Sequence, residues 1–140
     1  EDDVCIYIPL CYSNQVHPKN VIAQGKKWFG DKFIPLTDFM PFEEYLKFLG
    51  SIDVAIFNHK RQQAMGNTIT LLGLGKKVYM RSDVAQWDFF KELGLEVNDI
   101  TQIENTLYES DKQSALSNSI KVKSYFSREN LLNQLEAFMP

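Results

Sequence analysis

The chain has 140 residues, 44% of them hydrophobic and 13% aromatic, which is enough for one sizeable core and too little for two. A formal net charge of -3 excludes a general affinity for nucleic acid or anionic lipid, since either needs a basic face. No apolar run is long enough to span a bilayer.

In chain order, VCIYIPLCY (4–12) reads as a strand buried on both faces, and VIAQGKKWF (21–29) as a helix that Gly30 stops. KFIPL (32–36) is a short strand. Pro41 then stands at a helix start, with Phe42, Tyr45, Leu46 and Leu49 at helical spacing. DVAIF (53–57) is a third strand, and TITLLGL (68–74) a helix closed by Gly75. KVYMR (77–81) is a fourth strand, followed by a helix AQWDFFKEL that Ser82 or Asp83 caps and Gly94 ends. LEVNDI supplies a fifth short strand. Ser127 caps a final amphipathic helix with Leu131, Leu132, Leu135 and Phe138 on one face. Cys5 and Cys11 lie roughly 20 Å apart along the first extended run, at about 3.3 Å per residue, so they cannot pair there. Reduced thiols and the lack of a leader peptide are expected of a cytoplasmic chain.

Strand and helix alternate with short connections, which predicts an α/β fold: a Rossmann-like parallel sheet with helices on both faces, formed by residues 1–140 as one domain. In such sheets ligands bind beyond the carboxyl ends of the strands, so each strand-to-helix loop is a candidate site.

The loop after the third strand, NHKRQQAMGNT, is the richest. It presents His59, Lys60, Arg61, Gln62 and Gln63, and then starts a helix near Gly66, Asn67 and Thr68. A helix start offers free amides and partial positive charge. Arg61 adds a planar fork for phosphate oxygens, and Gly66 lets a ligand approach the backbone. Together they form a candidate diphosphate site. The bland alternative makes Lys60 and Arg61 solvated charges and Asn67 a helix cap. Three long polar side chains in a row favour function at Arg61, Gln62 and Gln63, and the bland alternative is preferred for Lys60 alone.

The other loops are more ambiguous. Tyr12, Ser13 and Asn14 can bind a sugar or phosphate, or simply build a turn. His17 beside Pro18 reads as a loop residue rather than a base. Asp38 and Phe39 can hold and stack a base, although Phe39 and Met40 also suit a core. Asp83 and Trp87 can face the crevice, with a cap and a packing residue as the preferred alternative. Two distant histidines and no Cys/His cluster give no pattern for a metal site.

The run SIDVAIFNHKRQQAMGNTITLLGLGKKVYM resembles the nucleotide-binding half of GT-B glycosyltransferases. PLCYSN, KFIPLTDFMPFEEYLKFL, FNHKRQQAMGN and the WDFFKELG run are similar to the 4-alpha-L-fucosyltransferases, also called TDP-N-acetylfucosamine:lipid II N-acetylfucosaminyltransferases. The resemblance covers the chain to about Ile100. It implies transfer of 4-acetamido-4,6-dideoxygalactose from a dTDP donor to an undecaprenyl-pyrophosphate-linked saccharide, in surface polysaccharide or common-antigen synthesis at the inner face of the cell membrane. It also implies that this chain is the carboxyl-terminal donor-binding domain of a two-domain enzyme, with the catalytic base on the other domain. On that reading Arg61, Gln62, Gln63, Gly66, Asn67 and Thr68 surround the diphosphate. Tyr12, Ser13, Asn14, Asp38, Phe39 and His59 make further donor contacts. No metal or other cofactor is required. One departure is the absence of a carboxylate at Thr68-Ile69-Thr70, where many GT-B enzymes bind ribose hydroxyls; a deoxyribose has one hydroxyl fewer.

Three rivals remain. A GT-B-like sugar-nucleotide epimerase shares the donor domain, but of its expected acidic and histidine residues only His59 is well placed. A receiver-like module needs an acidic cluster after the first strand and an aspartate after the third, and neither is present. A non-catalytic flavodoxin-like interaction domain would draw its main support from the apolar final helix.

Overall fold

The computed structural model describes residues 3–10, 16–61, 63–107, 109 and 111–139. The chain packs as two compact units, Glu1–Tyr45 and Leu46–Pro140. Both are built from parallel strands alternating with helices, which makes the protein a Rossmann-like α/β fold with its strands in two sheets.

The first unit is a strand-helix-strand motif. Strand β1 (Ile6–Pro9) pairs in parallel with β2 (Phe33–Leu36), Ile6 opposite Phe33, and helix α1 (Val16–Phe29) connects them through a 3-10 turn at Gly30–Lys32. Gly30 has φ 57°, as a helix-stopping glycine should. Helix α1 starts earlier than its apolar pattern suggests. Pro18 falls in its first turn, where a missing N–H costs no helical bond, so His17 is helical rather than a loop residue. Gly25 faces the Phe33 ring so closely that a Cβ would lie 2.2 Å from it. This glycine sets how near α1 can come to β2. The expectation of a first strand buried on both faces is corrected: along Ile6–Pro9 half-buried and exposed residues alternate, and Tyr7 and Pro9 face outward. A period of two places Ile6 and Ile8 on one face, and Ile8 lines a cavity against α1 with Val21 and Trp28. Cys5 is a free, exposed thiol, and Cys11 lies outside the described residues.

Helix α2 (Phe42–Ser51) begins at Pro41, whose carbonyl accepts from the Tyr45 amide at 2.9 Å. Leu49 is buried, whereas Phe42 and Leu46 are exposed.

The second unit holds the larger core. Strands β3 (Val54–Phe57), β4 (Lys77–Met80) and β5 (Asn98–Asp99) form an all-parallel sheet in that order. Helix α3 (Met65–Gly73) joins β3 to β4, and α4 (Ala85–Glu92) leads to β5. After a 3-10 turn at Ile100–Gln102 come α5 (Ile103–Thr106), α6 (Lys112–Tyr125) and α7 (Arg128–Phe138). The central strand carries Val78, Tyr79 and Met80 into a core completed by Leu71, Leu72, Phe90, Leu95, Val97 and Val122. At about 1.5–3 kcal/mol for each large apolar side chain removed from water, this cluster is the main stabilising term of the unit. The Tyr79 hydroxyl is paired at 2.7 Å with Thr106 Oγ1, so the one polar atom of that buried ring is satisfied. Gly75 (φ 74°) and Gly94 (φ 73°) end α3 and α4, as their sequence positions predict.

Helix α6 packs across α3. A Cβ on Gly73 would lie 3.0 Å from Val122 Cγ1, so the absent side chain admits the neighbour. Buried Asn118 clamps the chain at Glu96, accepting from its amide at 2.8 Å and donating to its carbonyl at 2.9 Å. Ser127 caps α7, as expected, by accepting from the Asn130 amide at 3.1 Å. The apolar side of α7, Leu131, Leu132, Leu135 and Phe138, is exposed. No helix among the described residues is long and apolar enough to cross a membrane.

Candidate functional site

The parallel pairing of β3, β4 and β5 brings the loops that follow them to one edge of the second unit. In that register Phe57 stands opposite Met80, and Met80 opposite Asp99. The residues directly after these strands are therefore neighbours, at the place where open α/β sheets bind ligands.

The loop after β3 ends in an unusual helix start. Ala64 occupies the cap position of α3 with φ 53°, and its methyl side chain cannot cap. It is the only non-glycine residue with positive φ among the described residues. The first α3 amide bonded back to the cap is that of Thr68, which donates to the Ala64 carbonyl at 2.9 Å. The amides of Met65, Gly66 and Asn67 therefore stand at the open end of the helix, where partial positive charge collects. Gly66 is exposed, with nothing within 4 Å of where its Cβ would be. Asn67 lies inside the first turn and does not cap it. Lys60, Arg61 and Gln63 are exposed in the loop that leads to this start. His59 stacks against Phe57 with ring centroids 5.8 Å apart, and its buried Nδ1 has no hydrogen-bond partner. Gln62 lies outside the described residues.

Thr68 is placed differently from its neighbours. It is 0% exposed, its hydroxyl donates to the Ala64 carbonyl at 2.9 Å, and Thr68 Oγ1 in turn accepts from Gln86 Nε2 at 3.4 Å. The Thr68 hydroxyl is thus engaged inside the protein rather than exposed on the loop. It ties the first turn of α3 to the first turn of α4.

The loop after β4 corrects an expectation. Neither Ser82 nor Asp83 caps α4; the cap position is Val84, without a side-chain bond. Asp83 turns back to Arg81 instead, receiving Nε at 2.8 Å on Oδ1 and Nη2 at 2.5 Å on Oδ2. These bonds, followed by the Coulombic pull of Arg81 and of Lys60, hold the Asp83 carboxyl below the usual carboxylate range, with desolvation opposing them. Asp99 accepts from the Thr101 amide and hydroxyl at 2.9 Å each; the Ser82 hydroxyl first, and then these bonds, hold its carboxyl below its ordinary value, with desolvation opposing them. Trp87 is partly buried, with the Lys91 ammonium 5.1 Å from its ring centroid.

The remaining candidates belong to the first unit. Asp38 and Phe39 follow β2, and both are exposed, Phe39 by 75%, so the core alternative for Phe39 does not hold. Tyr12, Ser13 and Asn14 lie outside the described residues. The structure thus brings His59, Lys60, Arg61, Gln63, Gly66 and Asn67 together on one edge. Arg81 joins that edge without having been singled out in the sequence. The sequence pattern places Arg81 at the end of the fourth strand, 77–81, whereas β4 ends at Met80 and leaves Arg81 in the loop.

Parallel strands with polar loops and two uncapped helix starts at their carboxyl edge define a Rossmann-like α/β protein with a candidate anion-binding edge. Within that class the chain belongs to the 4-alpha-L-fucosyltransferase family, glycosyl transferase group 56, whose family model matches residues 1–128. Glycosyltransferase function of the fucosyltransferase type follows from that membership. No curated protein and no solved structure matched the chain.

Proposed function

We propose that the edge formed by the loops after β3 and β4 holds the diphosphate of a nucleotide-sugar donor, a dTDP-linked 4-acetamido-4,6-dideoxygalactose. The sugar then passes to a saccharide carried on undecaprenyl pyrophosphate, in surface polysaccharide or glycolipid synthesis, with the protein peripheral to the inner face of the membrane. The observation that carries the reading is the open start of α3. Three amides at the positive end of a helix, without a side-chain cap and beside exposed Arg61, suit an anion and little else. Family membership supplies the chemical class of the reaction.

In the reaction an acceptor hydroxyl oxygen attacks the anomeric carbon, and the bond from that carbon to the β-phosphate oxygen breaks. The nucleoside diphosphate leaves with the electron pair, and the hydroxyl proton goes to a base. The leaving group gains negative charge, so Arg61 and the α3 amides stabilise the transition state more than the ground state. This electrostatic help needs no metal. The residues at this edge bind the donor and stabilise its departure, while acceptor activation lies elsewhere. Residues 1–140 then act as a donor-binding domain that binds nucleotide without turning it over.

Calorimetric titration with dTDP, UDP and GDP tests the reading. The expected result is preferential dTDP binding that Arg61→Ala weakens about tenfold or more, the loss typical of a charge-assisted pair. Equal weak binding of all three, indifferent to that substitution, overturns it.

A further inference from the structure

The second cation of this edge is Arg81. Its backbone follows Met80, which pairs with Phe57, so the loop that Arg81 begins leaves the sheet next to the loop that Asn58 begins. The bond between Gln86 and Thr68 fastens the start of α4 to the first turn of α3. The loop from Arg81 to Val84 thus runs from the strand paired with β3 to a helix tied to the first turn of α3. The Arg81 side chain is 26% exposed and its partner Asp83 63%. Two in-plane bonds from guanidinium to carboxylate match the geometry that a phosphate group offers with two of its oxygens. Asp83 is not occupied in capping α4. An ion pair so open to water gains little from its own attraction, so a phosphate that brings more charge can displace the carboxylate. Asp99, the other carboxylate of this edge, is engaged by Ser82 and Thr101 and does not compete for Arg81.

We infer that Arg81 is a second diphosphate-binding guanidinium, occupied at rest by Asp83 and handed over to the donor when it binds. This rests on the donor reading above and deepens it by naming a residue and the carboxylate that competes for it. The consequence is a pair of variants with opposite effects. Removing the guanidinium weakens binding. Removing the competing charge strengthens it.

The test is titration of the 140-residue chain with dTDP at low and moderate salt, for the parent, Arg81→Ala, Arg81→Lys, Asp83→Asn and the double variant, with thermal unfolding of each to confirm folding. Arg81→Ala is expected to weaken binding about tenfold, and Arg81→Lys by less, because charge survives without the fork. Asp83→Asn is expected to tighten binding several-fold and to do nothing once Arg81 is Ala. If Asp83→Asn weakens binding as Arg81→Ala does, or if neither changes it while Arg61→Ala does, the pair only shapes the loop and the inference fails alone. A folded parent that does not bind dTDP sinks the donor reading and this inference together.

Discussion

Of the five α-helices that start among the described residues of the second unit, the short α5 begins at Gln102 with no side-chain bond, and the four longer ones fall into two kinds. Helix α6 is closed by Asp111, which accepts from the amides of Gln113 and Ser114 at 3.0 and 3.1 Å, and α7 is closed by Ser127. Helices α3 and α4, which begin at the carboxyl edge of the sheet, start at Ala64 and Val84 with no side-chain bond at all. Capping residue types are available nearby, since Ser82 and Asp83 precede the Val84 cap position, yet neither caps α4 and Asp83 turns to Arg81 instead. The longer helices α6 and α7 are closed, whereas α3 and α4 leave their first amides without a side-chain acceptor at the edge proposed to hold the donor. The positive φ of Ala64 sharpens the contrast. An alanine in that region costs energy that a glycine would not, and such strain gathers where function constrains the backbone.

The most direct way to break the contrast is to give α3 the charge it lacks. Ala64→Asp places a carboxylate at the open amides, where it competes with an anionic ligand. Nucleotide affinity should fall by about thirtyfold, roughly 2 kcal/mol, while the thermal midpoint holds or rises, because charge at a helix start is itself stabilising. An unchanged dissociation constant in a folded variant would show that the α3 amides do not bind the ligand.

A smaller effect is expected from the tie between the two open starts. Thr68→Val keeps the shape of a fully buried side chain and removes both the bond to Ala64 and the acceptor offered to Gln86. The loss should be about 1–2 kcal/mol in denaturant unfolding, with weaker nucleotide binding following from a displaced α3 start. Full stability in the valine variant would mean that neither bond of the Thr68 hydroxyl contributes.

Much of this fold is legible in the sequence because its signals are local. Gly30, Gly75 and Gly94 follow apolar runs and adopt the positive φ that a helix stop needs. Strands β3 and β4 are short apolar runs between polar bounds, and the loop from His59 to Asn67 stands out because polar residues interrupt two such runs. Helix α6 is different. Its contacts to the rest of the unit include Val122 against Gly73, Ala115 against Gly75, Asn118 against the Glu96 backbone, Lys121 on the Gly94 carbonyl and Tyr125 against Phe89, while Leu116 and Ile120 are exposed. Contact residues this mixed in size and polarity leave no apolar stripe to read, and only the Asp111–Ser114 cap announces the helix. The pairing of Arg81 with Asp83 is hidden for another reason. An aspartate before a helix reads as a cap from sequence, and whether it caps or turns back depends on the path of the chain after β4.

The capped side of the comparison supplies the smallest effect and the cleanest pH signature. Bonds from Ser114, side chain first and then backbone, with a further one from the Gln113 amide, hold the Asp111 carboxyl below its ordinary value against a smaller desolvation. The folded chain therefore binds this proton less readily than the unfolded chain, and the cap's contribution is fully present above the unfolded aspartate value. It is lost as pH falls through the lower folded value, below about pH 4. Asp111→Ala should lower the thermal midpoint by roughly 2–6 °C at neutral pH. The gap between variant and parent should close on acidification, and nucleotide affinity should not change. A gap that persists at pH 2 would locate the effect in something other than the carboxylate's charge. A loss of affinity would mean that α6 also serves the ligand, and the division between closed and open helix starts would no longer follow function.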